Sequence, residues 1–341
     1  MINQVYRLVA TRQFEIAYKG VDLQANHIVV RPTYLSICAA DQRYYTGSRN
    51  QEVMRKKLPM ALIHEGIGVI AYDPAKEYRT GTPVVMVPTQ PTQSDAVIGE
   101  NYLRTSRFCS SGYDGFMQDC VFLPRDRVVP LFDGLNPHVA AFSELISVSV
   151  HALGRFARRS HSRREVLGVW GDGNLGFITA LLLKTYYPDS HVAVFGKTEW
   201  KLENFSFADA VYRIDEIPAQ VQVDHAFECV GGVGSQAAVN QIIDLIHPEG
   251  SIALLGVSEY PIEMNTRMIL EKGLTVIGSS RSGRADFVET VELLKRHSNL
   301  VDYLQRLVGV VREVRTLQDI TETFEVDLTS PWGKTVMKWA I

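Results

Sequence analysis

Six residues, 171–176, limit the possible folds of this chain most strongly. They read Gly-Asp-Gly-Asn-Leu-Gly and follow a short apolar run at 166–170. Three glycines at this spacing allow a tight turn between a strand and a helix, and they let a pyrophosphate approach the backbone closely. The N–H groups at the start of that helix favour the phosphate charge. The sequence therefore predicts a dinucleotide-binding loop formed by Gly171, Asp172, Gly173, Asn174, Leu175 and Gly176.

The segments around this loop alternate regularly from about residue 165 to residue 283. Short runs rich in β-branched residues alternate with longer runs whose apolar residues have helical spacing, such as 174–187. This alternation is typical of a parallel sheet that is covered by helices. The predicted strands are 166–170, 191–195, 210–213, 224–228, 251–256 and 274–278. They indicate the fold class α/β, with a doubly wound parallel sheet.

A second domain is expected because 341 residues exceed the usual size of one domain. In the first 143 residues, strand-like runs such as 28–31 and 84–87 are separated by Pro, Gly and Asp turns, which indicates a mostly antiparallel β domain. After residue 283, a helical stretch and a strand-like run at 335–339 are expected to return to this domain. We therefore predict a catalytic domain of 1–143 completed by 285–341, and a dinucleotide-binding domain of 144–284.

The composition is that of an ordinary globular protein, with 46% hydrophobic residues, 21% charged residues and a formal net charge of −3. The basic stretches are short and interrupted, so they do not indicate a nucleic-acid partner. No segment approaches the roughly 20 apolar residues that a membrane span needs, and the first residues lack the pattern of a signal peptide. The four cysteines are widely spaced, which favours reduced thiols. We expect a cytoplasmic protein without nucleic-acid or membrane partners.

The end of the second predicted strand bears on the choice of cofactor. NAD-selective sites commonly have an acidic residue there, about 20 residues after the glycine-rich loop, which accepts hydrogen bonds from the ribose. This chain has Gly196 and Lys197 at that place, and Lys201 lies one helical turn further along. A 2′-phosphate would be attracted by the two lysines, whereas the usual acid would repel it. We therefore expect NADPH; the alternative is that both lysines are merely solvated at a helix end.

Four residues have the chemical character of metal ligands: Cys38, His64, Glu65 and Glu144. A catalytic zinc takes about three nitrogen, sulfur or oxygen ligands from the protein and leaves a position for water or substrate. Each residue alone also fits a structural role. A buried cysteine commonly packs in a core, and adjacent strand residues point to opposite faces. The residue types therefore allow a zinc site without requiring one.

The order of these motifs resembles the zinc-containing medium-chain alcohol and polyol dehydrogenases. Cys38 and Asp41 form a Cys-x-x-Asp motif, and His64 and Glu65 lie in a His-Glu-Gly motif. Glu144 then precedes a Val-x-x-His-Ala segment and the glycine-rich loop. Further similar stretches are 112–117 and 227–232. The resemblance spans essentially the whole chain, and it implies a GroES-like catalytic domain in addition to the Rossmann domain.

The resemblance also implies roles for individual residues. One catalytic zinc would be held by Cys38, His64 and either Glu65 or Glu144. Asp41 would orient His64, since a ligating histidine usually donates its other N–H to such a group. Beyond the glycine-rich loop, the implied cofactor contacts are Gly196, Lys197, Lys201, Cys229, Val230, Gly256, Val257 and Ser279.

Two departures from the family pattern change these expectations. Many members hold a structural zinc on four closely spaced cysteines, whereas 88–111 contains only Cys109, so we expect no structural zinc. Many members also carry Ser or Thr two residues after the zinc cysteine to relay the alcohol proton, and this chain has Ala40. The proton path is therefore expected to differ, through water or the hydroxyl of Tyr44 or Tyr45.

Within the family, the chain resembles the members that reduce D-ribulose 5-phosphate to D-ribitol 5-phosphate for teichoic acid synthesis in Gram-positive bacteria. The similar stretches are 36–45, 170–176, 224–229, 255–259 and 278–283. The resemblance implies an NADPH-dependent oxidoreductase whose product is the precursor of CDP-ribitol, with a ribitol-5-phosphate cytidylyltransferase as a partner. We expect a homo-oligomer, with a dimer favoured. A phosphorylated substrate needs basic groups, for which Arg43 is the first candidate and Arg281 and Arg284 are the next.

Two other functions stay open from the sequence. A zinc polyol dehydrogenase acting on an unphosphorylated sugar alcohol would use the same metal ligands, and an acid in place of Gly196 or Lys197 would favour its NAD-linked form. A noncatalytic relative would keep the cofactor loop and lose the metal chemistry. The presence of all four candidate ligands argues against that second alternative.

Overall fold

The computed structural model describes residues 2–22 and 26–341, and it divides the chain into two compact units. The first unit comprises Met1–Ser147 and Ser282–Ile341, and the second comprises Val148–Arg281. The sequence prediction put these boundaries after residues 143 and 284. The first boundary lies inside one continuous helix, Ser143–Arg159. A boundary of this kind has no turn or linker in the sequence to mark it.

The first unit is built mainly from β-strands, which we number in chain order through both units. Its strands are β1 (Ile2–Ala10), β2 (Gln13–Gly20), β3 (His27–Ser36), β4 (Met60–Ala61), β5 (Glu65–Tyr72), β6 (Pro83–Met86), β7 (Thr89–Gln90), β8 (Arg107–Phe108), β9 (Val121–Pro124), β10 (Val128–Pro130), β17 (Val308–Val314) and β18 (Lys334–Trp339). They pair in the orders β2-β1-β4, β10-β6-β5-β3-β18-β17 and β7-β8, and β9 pairs with β3. Every pair is antiparallel except β17 with β18. The predicted antiparallel domain is confirmed, and the last strand, β18, pairs with β3 in its sheet.

The helices of the first unit lie between these strands and in the C-terminal part of the chain. They are α1 (Ala39–Tyr45), α2 (Gln51–Lys57), α3 (Pro137–Ala140), the start of α4 (Ser143–Arg159), α9 (Arg284–Arg296), α10 (Ser298–Gln305) and α11 (Leu317–Thr329). Asn50 begins α2, because its side chain accepts hydrogen bonds from the backbone N–H groups of Glu52 and Val53. The sequence did not predict β17. That strand lies at the edge of its sheet, and only its last residue is buried, so its pattern is weak.

The second unit contains six parallel strands, as the sequence predicts. They are β11 (Val166–Trp170), β12 (His191–Gly196), β13 (Ala210–Arg213), β14 (Val223–Glu228), β15 (Ile246–Leu254) and β16 (Thr275–Gly278), in the order β13-β12-β11-β14-β15-β16. The helices are the rest of α4, α5 (Asn174–Tyr186), α6 (Glu199–Leu202), α7 (Ser235–Leu245) and α8 (Thr266–Glu271). This order, which reverses direction next to β11, defines a doubly wound sheet. The predicted fold class is therefore confirmed.

One strand of this sheet, β15, differs from its prediction by several residues, whereas the others agree to within one residue at either end. β15 begins at Ile246 instead of residue 251, because Ile246 already pairs with Val223 before an irregular turn in which Glu249 has a φ of 67°. It ends at Leu254, since the next two backbone N–H groups turn back to the carbonyl oxygen of Glu228. A left-handed residue inside a strand interrupts the alternation on which the prediction depended.

None of the helices in the described ranges has the length and apolar character that a membrane span needs.

The core of the second unit is aromatic around its central strands, where the Trp170 and Phe195 rings stack with centroids 3.9 Å apart. The Trp170 side chain also donates to Gln241 at 2.9 Å. Stacking and this hydrogen bond together allow a buried indole in the sheet.

The side chain of His225 is buried near the amino end of β14. Its Nδ1 atom accepts a hydrogen bond from the backbone N–H of Ser251 at 3.0 Å, so Nε2 carries the proton and donates to the carbonyl oxygen of Arg163 at 2.9 Å. Burial and the neighbouring His161 ring, with centroids 4.2 Å apart, lower the pKa of His225 to about 4. The fold therefore holds this imidazole in its neutral form.

We expect the free energy of unfolding to fall as the pH is lowered from 6.5 towards about 4. Between these values the unfolded chain binds a proton at His225 and the folded chain does not, so acid favours the unfolded state. His225→Gln should be less stable at neutral pH, yet its stability should depend on pH less steeply, by about one proton. Urea unfolding at a series of pH values measures both slopes. Equal slopes in the native protein and the variant would contradict this expectation.

Candidate active site

Cys38, His64 and Glu65 lie at the ends of two paired strands. β3 ends at Ser36 and β5 begins at Glu65, and these two residues are partners in an antiparallel register. Cys38 follows closely as the N-cap of α1. Its Sγ atom is 3.5 Å from His64 Nε2, and one ligand atom from each of the three residues lies within 4.8 Å of the others. The structure thus brings three of the four predicted metal ligands together.

The donor atoms of this group fit a zinc ion. They are a sulfur, an imidazole nitrogen and a carboxylate oxygen, which are the atoms that zinc prefers, and catalytic zinc sites take about three of them from the protein. His64 and Glu65 are both buried. Burial, with the negative charges of Asp41 and Glu65, raises the pKa of the Cys38 thiol well above its ordinary value. A bound metal cation favours the thiolate and would oppose this rise.

Glu144, the fourth predicted ligand, lies outside this three-residue group. It is in the first turn of α4 and is buried. Burial raises the pKa of Glu65 to about 7, and the negative charge of Glu144 adds to this rise, so the two carboxyl groups influence each other. That either Glu65 or Glu144 completes the zinc site stays a prediction.

The buried Asp41 carboxylate ties together the segments that carry the metal-ligand group. Its Oδ2 atom accepts a hydrogen bond from the backbone N–H of Cys38 at 3.1 Å. Its Oδ1 atom accepts from the backbone N–H of Ile63 at 3.1 Å and from the hydroxyl of Ser110 at 3.0 Å. The distance from Oδ1 to His64 Nδ1 is 3.8 Å, which is longer than a hydrogen bond. Asp41 therefore positions His64 through the backbone of the preceding residue, and its predicted direct bond to the ring stays a prediction.

The residue before His64, Ile63, is held in an unfavourable backbone conformation by hydrogen bonds at both its N–H and its C=O group. Ile63 has a φ of 69°, which is costly for a β-branched residue. Its carbonyl oxygen accepts a hydrogen bond from the backbone N–H of Phe116 at 2.7 Å. A Cβ atom on Gly115 would lie 2.3 Å from that same oxygen, so only glycine allows this approach. The stretch 112–117, which resembles a family turn, thus supports the histidine.

The sequence did not predict a role for Lys334, which forms a buried ion pair with Glu65. Lys334 begins β18 and is 3% exposed, and its Nζ atom is 3.0 Å from Oε1 and 2.9 Å from Oε2 of Glu65. β18 reaches this place because Val336 pairs with Ser36 at the end of β3. Lys338 has equivalent spacing on the strand, but its side chain is 50% exposed. No local pattern distinguishes the two lysines, so only the tertiary structure identifies the buried one.

In the second unit, the glycine-rich loop connects β11 to α5 as predicted. Gly171 has a φ of 129°, and a Cβ atom on Gly176 would lie 1.9 Å from the carbonyl oxygen of Gly171. Both positions require glycine. Gly173 is the N-cap of α5, so the first N–H groups of that helix adjoin the loop, an arrangement that favours a pyrophosphate.

The end of β12 carries no acid of its own, but Asp172 supplies one from the glycine-rich loop. Its Oδ2 atom accepts hydrogen bonds from the backbone N–H groups of Lys197 at 2.9 Å and Thr198 at 2.7 Å. A Cβ atom on Gly196 would lie 2.7 Å from the Cβ of Asp172, so glycine is needed there. Asp172 and Lys197 both line a cavity of about 400 Å³. Lys201, which lies on α6, contacts the Trp200 ring with Nζ 5.5 Å from its centroid.

The buried Glu228 carboxylate joins two loops at the carboxyl ends of β14 and β15. Its Oε1 atom accepts hydrogen bonds from the backbone N–H groups of Val230 and Gly231 and from the Ser235 hydroxyl, at 3.0, 2.8 and 3.1 Å. Its Oε2 atom accepts from the backbone N–H of Gly256 at 3.0 Å, and a Cβ on that glycine would lie 2.6 Å from both oxygens. Ligands of doubly wound folds bind at these strand ends. Glu228 therefore shapes loops in which the sequence predicts cofactor contacts, although no role was predicted for Glu228 itself.

The remaining predicted contacts differ in exposure. Cys229 and Ser279 are buried, whereas Val257 is 54% exposed. Of the arginines considered for the substrate phosphate, Arg43 lies on α1, and Arg284 begins α9 with its backbone N–H bonded to Glu100. The contributions of these residues to binding stay predictions.

Two family models match parts of the chain. The alcohol dehydrogenase GroES-like domain matches residues 24–133, and the zinc-binding dehydrogenase model matches residues 195–296. The antiparallel first unit, the doubly wound second unit and the group of Cys38, His64 and Glu65 define the same class. The fold and the site are those of a zinc-binding dehydrogenase.

Relatives of high identity narrow this class. The chain is 62% identical over 341 residues to the ribulose-5-phosphate reductase of Bacillus spizizenii, with 100% of both chains covered. It is 58% identical over 339 residues to ribulose-5-phosphate reductase 1 of Staphylococcus aureus, with 99% of both covered. A crystal structure of S. aureus TarJ in complex with NADPH matches with a TM-score of 0.90 and 52% identity over 100% of both chains. The chain belongs to the ribulose-5-phosphate reductase family.

We expect Glu228→Gln to weaken dinucleotide binding by about 10-fold or more, measured by fluorescence titration. The side-chain N–H₂ of glutamine donates, so it would face at least one backbone N–H group whose hydrogen bond the carboxylate now accepts. That hydrogen bond would be lost, and a loop at the strand ends would be released.

Asp224→Asn is the matched control for this variant. Asp224 is a buried carboxylate near the opposite end of the same strand, and it accepts hydrogen bonds from the backbone N–H groups of Glu165 and Val166 at 2.9 and 3.0 Å. Both variants should lower the melting temperature, but only Glu228→Gln should weaken the dinucleotide. Equal weakening by both variants would show that Glu228 supports stability alone.

Proposed function

We propose that this chain reduces D-ribulose 5-phosphate to D-ribitol 5-phosphate, with NADPH as the hydride donor and one zinc ion per chain. The observation that carries the proposal is the group of Cys38, His64 and Glu65, of which His64 and Glu65 are buried, in a chain that is 55–62% identical to three ribulose-5-phosphate reductases. A thiol, an imidazole and a carboxylate whose ligand atoms lie within 4.8 Å of one another form a set that zinc prefers, and a protein without metal chemistry would not need it. Its presence supports an enzyme over a noncatalytic cofactor-binding protein.

Three observations support NADPH as the cofactor. The S. aureus TarJ structure, of 52% identity, is a complex with NADPH. In this chain Lys197 is exposed at the end of β12, and Lys201 lies one turn further on α6. The nearby carboxylate of Asp172 already accepts two backbone N–H groups, which compensate part of its charge. Lys197 is therefore the residue that we propose meets the 2′-phosphate.

The residues of the first unit provide the proposed metal site. We propose that Cys38 and His64, with Glu65 or Glu144, hold the zinc ion. When bound, zinc supplies a Lewis acid for a carbonyl oxygen, and NADPH supplies the hydride. Asp41 fixes both the backbone of Cys38 and the residue before His64, so these two side chains need little rearrangement.

The proton path must avoid the position occupied by Ala40, which has no hydroxyl. The hydroxyl of Tyr45 donates to Glu325 at 2.6 Å, and burial together with this carboxylate raises the pKa of Tyr45 well above its ordinary value. Tyr45 is therefore a poor proton donor in this structure. We propose that the proton reaches the product without passing through it.

We further propose the biological setting that the resemblance implies. Ribitol 5-phosphate would be consumed by a cytidylyltransferase to make CDP-ribitol for poly(ribitol phosphate) wall teichoic acid, and the enzyme would work in the cytoplasm as a homo-oligomer, with a dimer favoured. The support is the similarity of stretches such as 36–45 and 278–283 to members with this role.

We expect one zinc ion per chain and expect Cys38→Ser to reduce the bound zinc by about 10-fold or more, because thiolate is a preferred ligand. Removing zinc with a chelator should abolish reduction and leave the circular dichroism spectrum unchanged, since a catalytic metal is not needed for folding. Cys120→Ser is the matched control, because Cys120 is another free cysteine of the first unit but lies outside the ligand group. Two zinc ions per chain, or full activity in metal-free protein, would contradict the proposed site.

The proposed activity is tested by following NADPH oxidation with ribulose 5-phosphate, ribulose and fructose side by side, and by repeating the assay with NADH. We expect kcat/KM for ribulose 5-phosphate to exceed that for ribulose on the order of 100-fold, because binding of the distant phosphate orients the reacting carbonyl. NADPH should be preferred to NADH. Comparable rates on ribulose and its phosphate would reject the substrate assignment, and faster reduction of fructose with NADH would indicate an ordinary polyol dehydrogenase.

A further inference from the structure

Two cationic side chains contact one buried aromatic ring of the first unit. The guanidinium carbon of Arg49 lies 4.4 Å from the centroid of the Tyr44 ring, and the ammonium nitrogen of Lys57 lies 5.9 Å from the same centroid. Tyr44 is 2% exposed, so the core fixes its position. Lys57 Nζ also donates to the hydroxyl of Ser111 at 2.8 Å. We term these four residues the cationic cluster.

Lys57 differs clearly from its neighbour Lys56. Lys56 pairs with Glu52 at 2.6 Å, and its side chain is 71% exposed, which is typical of a solvated helix face. Lys57 is half-buried at the end of α2 and, among residues 2–22 and 26–341, has no carboxylate within salt-bridge distance. A half-buried ammonium that contacts the same ring as a second cation is stabilised by a bound anion. The cationic cluster therefore fits a negatively charged ligand.

A second observation at this place also indicates a ligand. The Tyr44 hydroxyl is buried and, within the described part of the chain, has no hydrogen-bond partner. Buried hydroxyl groups are nearly always paired, so this donor has bonding capacity that the protein itself does not use. Within the described residues, the fold thus leaves the Tyr44 hydroxyl unsatisfied.

The cationic cluster is connected to the metal-ligand group through α1 and the neighbouring loop. Ser111 follows Ser110, whose hydroxyl donates to Asp41. Asp41 and Tyr44 lie one turn apart and are both buried on α1, and Cys38 caps the same helix. With a rise of 1.5 Å per residue, Tyr44 lies about 9 Å along the helix axis from Cys38. This separation is of the same order as the length of an extended pentulose phosphate.

We propose that Arg49 and Lys57, with the hydroxyl of Ser111, bind the phosphate of the sugar substrate. This inference rests on the proposed function. A phosphate monoester is close to a dianion at neutral pH, and Arg and Lys bind it through charge-assisted hydrogen bonds. With the phosphate at the cationic cluster, the sugar chain extends along α1 towards Cys38 and His64, where the carbonyl group reacts.

The assignment differs from the one that sequence alone suggested. Arg43 was the first candidate because it follows the zinc cysteine closely. Successive residues on a helix point about 100° apart, so Arg43 and Tyr44 face different directions on α1. Arg49 and Lys57 reach the Tyr44 ring from outside that helix. Sequence spacing does not reveal this convergence.

The test compares Lys57→Met with Lys56→Met, a matched pair on one helix that removes the same charge. For each zinc-loaded enzyme, kcat/KM is measured with ribulose 5-phosphate and with ribulose, and the ratio of the two values is the readout. Lys57→Met should lower this ratio on the order of 10- to 100-fold, as expected for a lost charge-assisted hydrogen bond. Lys56→Met should keep the native ratio, and Lys57→Arg should restore most of it.

Each outcome separates this inference from the proposed function. A native enzyme with no preference for the phosphorylated sugar would overturn the proposed function itself. A native preference that survives in Lys57→Met would overturn only the cationic cluster as the phosphate site. If Lys57→Met lowers the melting temperature, titration with ribitol 5-phosphate at a temperature where the variant is folded decides the matter, because unchanged product affinity would reject the proposal.

Discussion

The hydrogen bonds to the Asp41 carboxylate are the interaction on which the metal-ligand group depends. They join three segments that are distant in sequence: the start of α1, the residue before His64, and the loop that carries Ser110. Hydrogen bonds to a charged group are each worth about 1.5–3 kcal/mol, and a buried carboxylate without them would be strongly unfavourable. They also hold Ile63 at a positive φ that a β-branched residue avoids. Backbone strain of this kind persists only where the surrounding contacts enforce it. Here the strained conformation of Ile63 sets the position of His64.

The charge around this carboxylate has a further consequence. Cys38, Glu65 and Glu144 add potential negative charge to that of Asp41, while Lys334 provides a buried positive charge that pairs directly with Glu65. The donors to Asp41 are neutral N–H and O–H groups. A divalent cation bound by the cysteine, the histidine and a carboxylate would therefore relieve repulsion as well as form bonds. Lys334 holds the Glu65 carboxylate in one direction, which favours a single arrangement of the ligand set.

The sequence predicted the parts of the structure whose signals are local. Strand β11, the turn at Gly171 and the start of α5 follow one another within a few residues, so their pattern determines them almost completely. The strand β17 and the role of Lys334 were missed because both depend on which distant strand lies beside β18. The metal ligands lie between these cases. Cys38 and His64 were found by residue type and resemblance, but only the pairing of Ser36 with Glu65 explains why they meet.

Three carboxylates in or beside the recognised motifs share one structural task that residue type alone conceals. Asp41, Asp172 and Glu228 each accept at least two backbone N–H groups. A carboxylate can accept hydrogen bonds from several backbone N–H groups only if the backbone turns tightly around it. Such a tight turn leaves little room for a Cβ atom. This explains why Gly196 lies against Asp172 and why Gly256 lies against Glu228. An acid beside a glycine in these motifs therefore shapes the loop first. Its contact with cofactor or metal is a separate property, which has to be established for each residue.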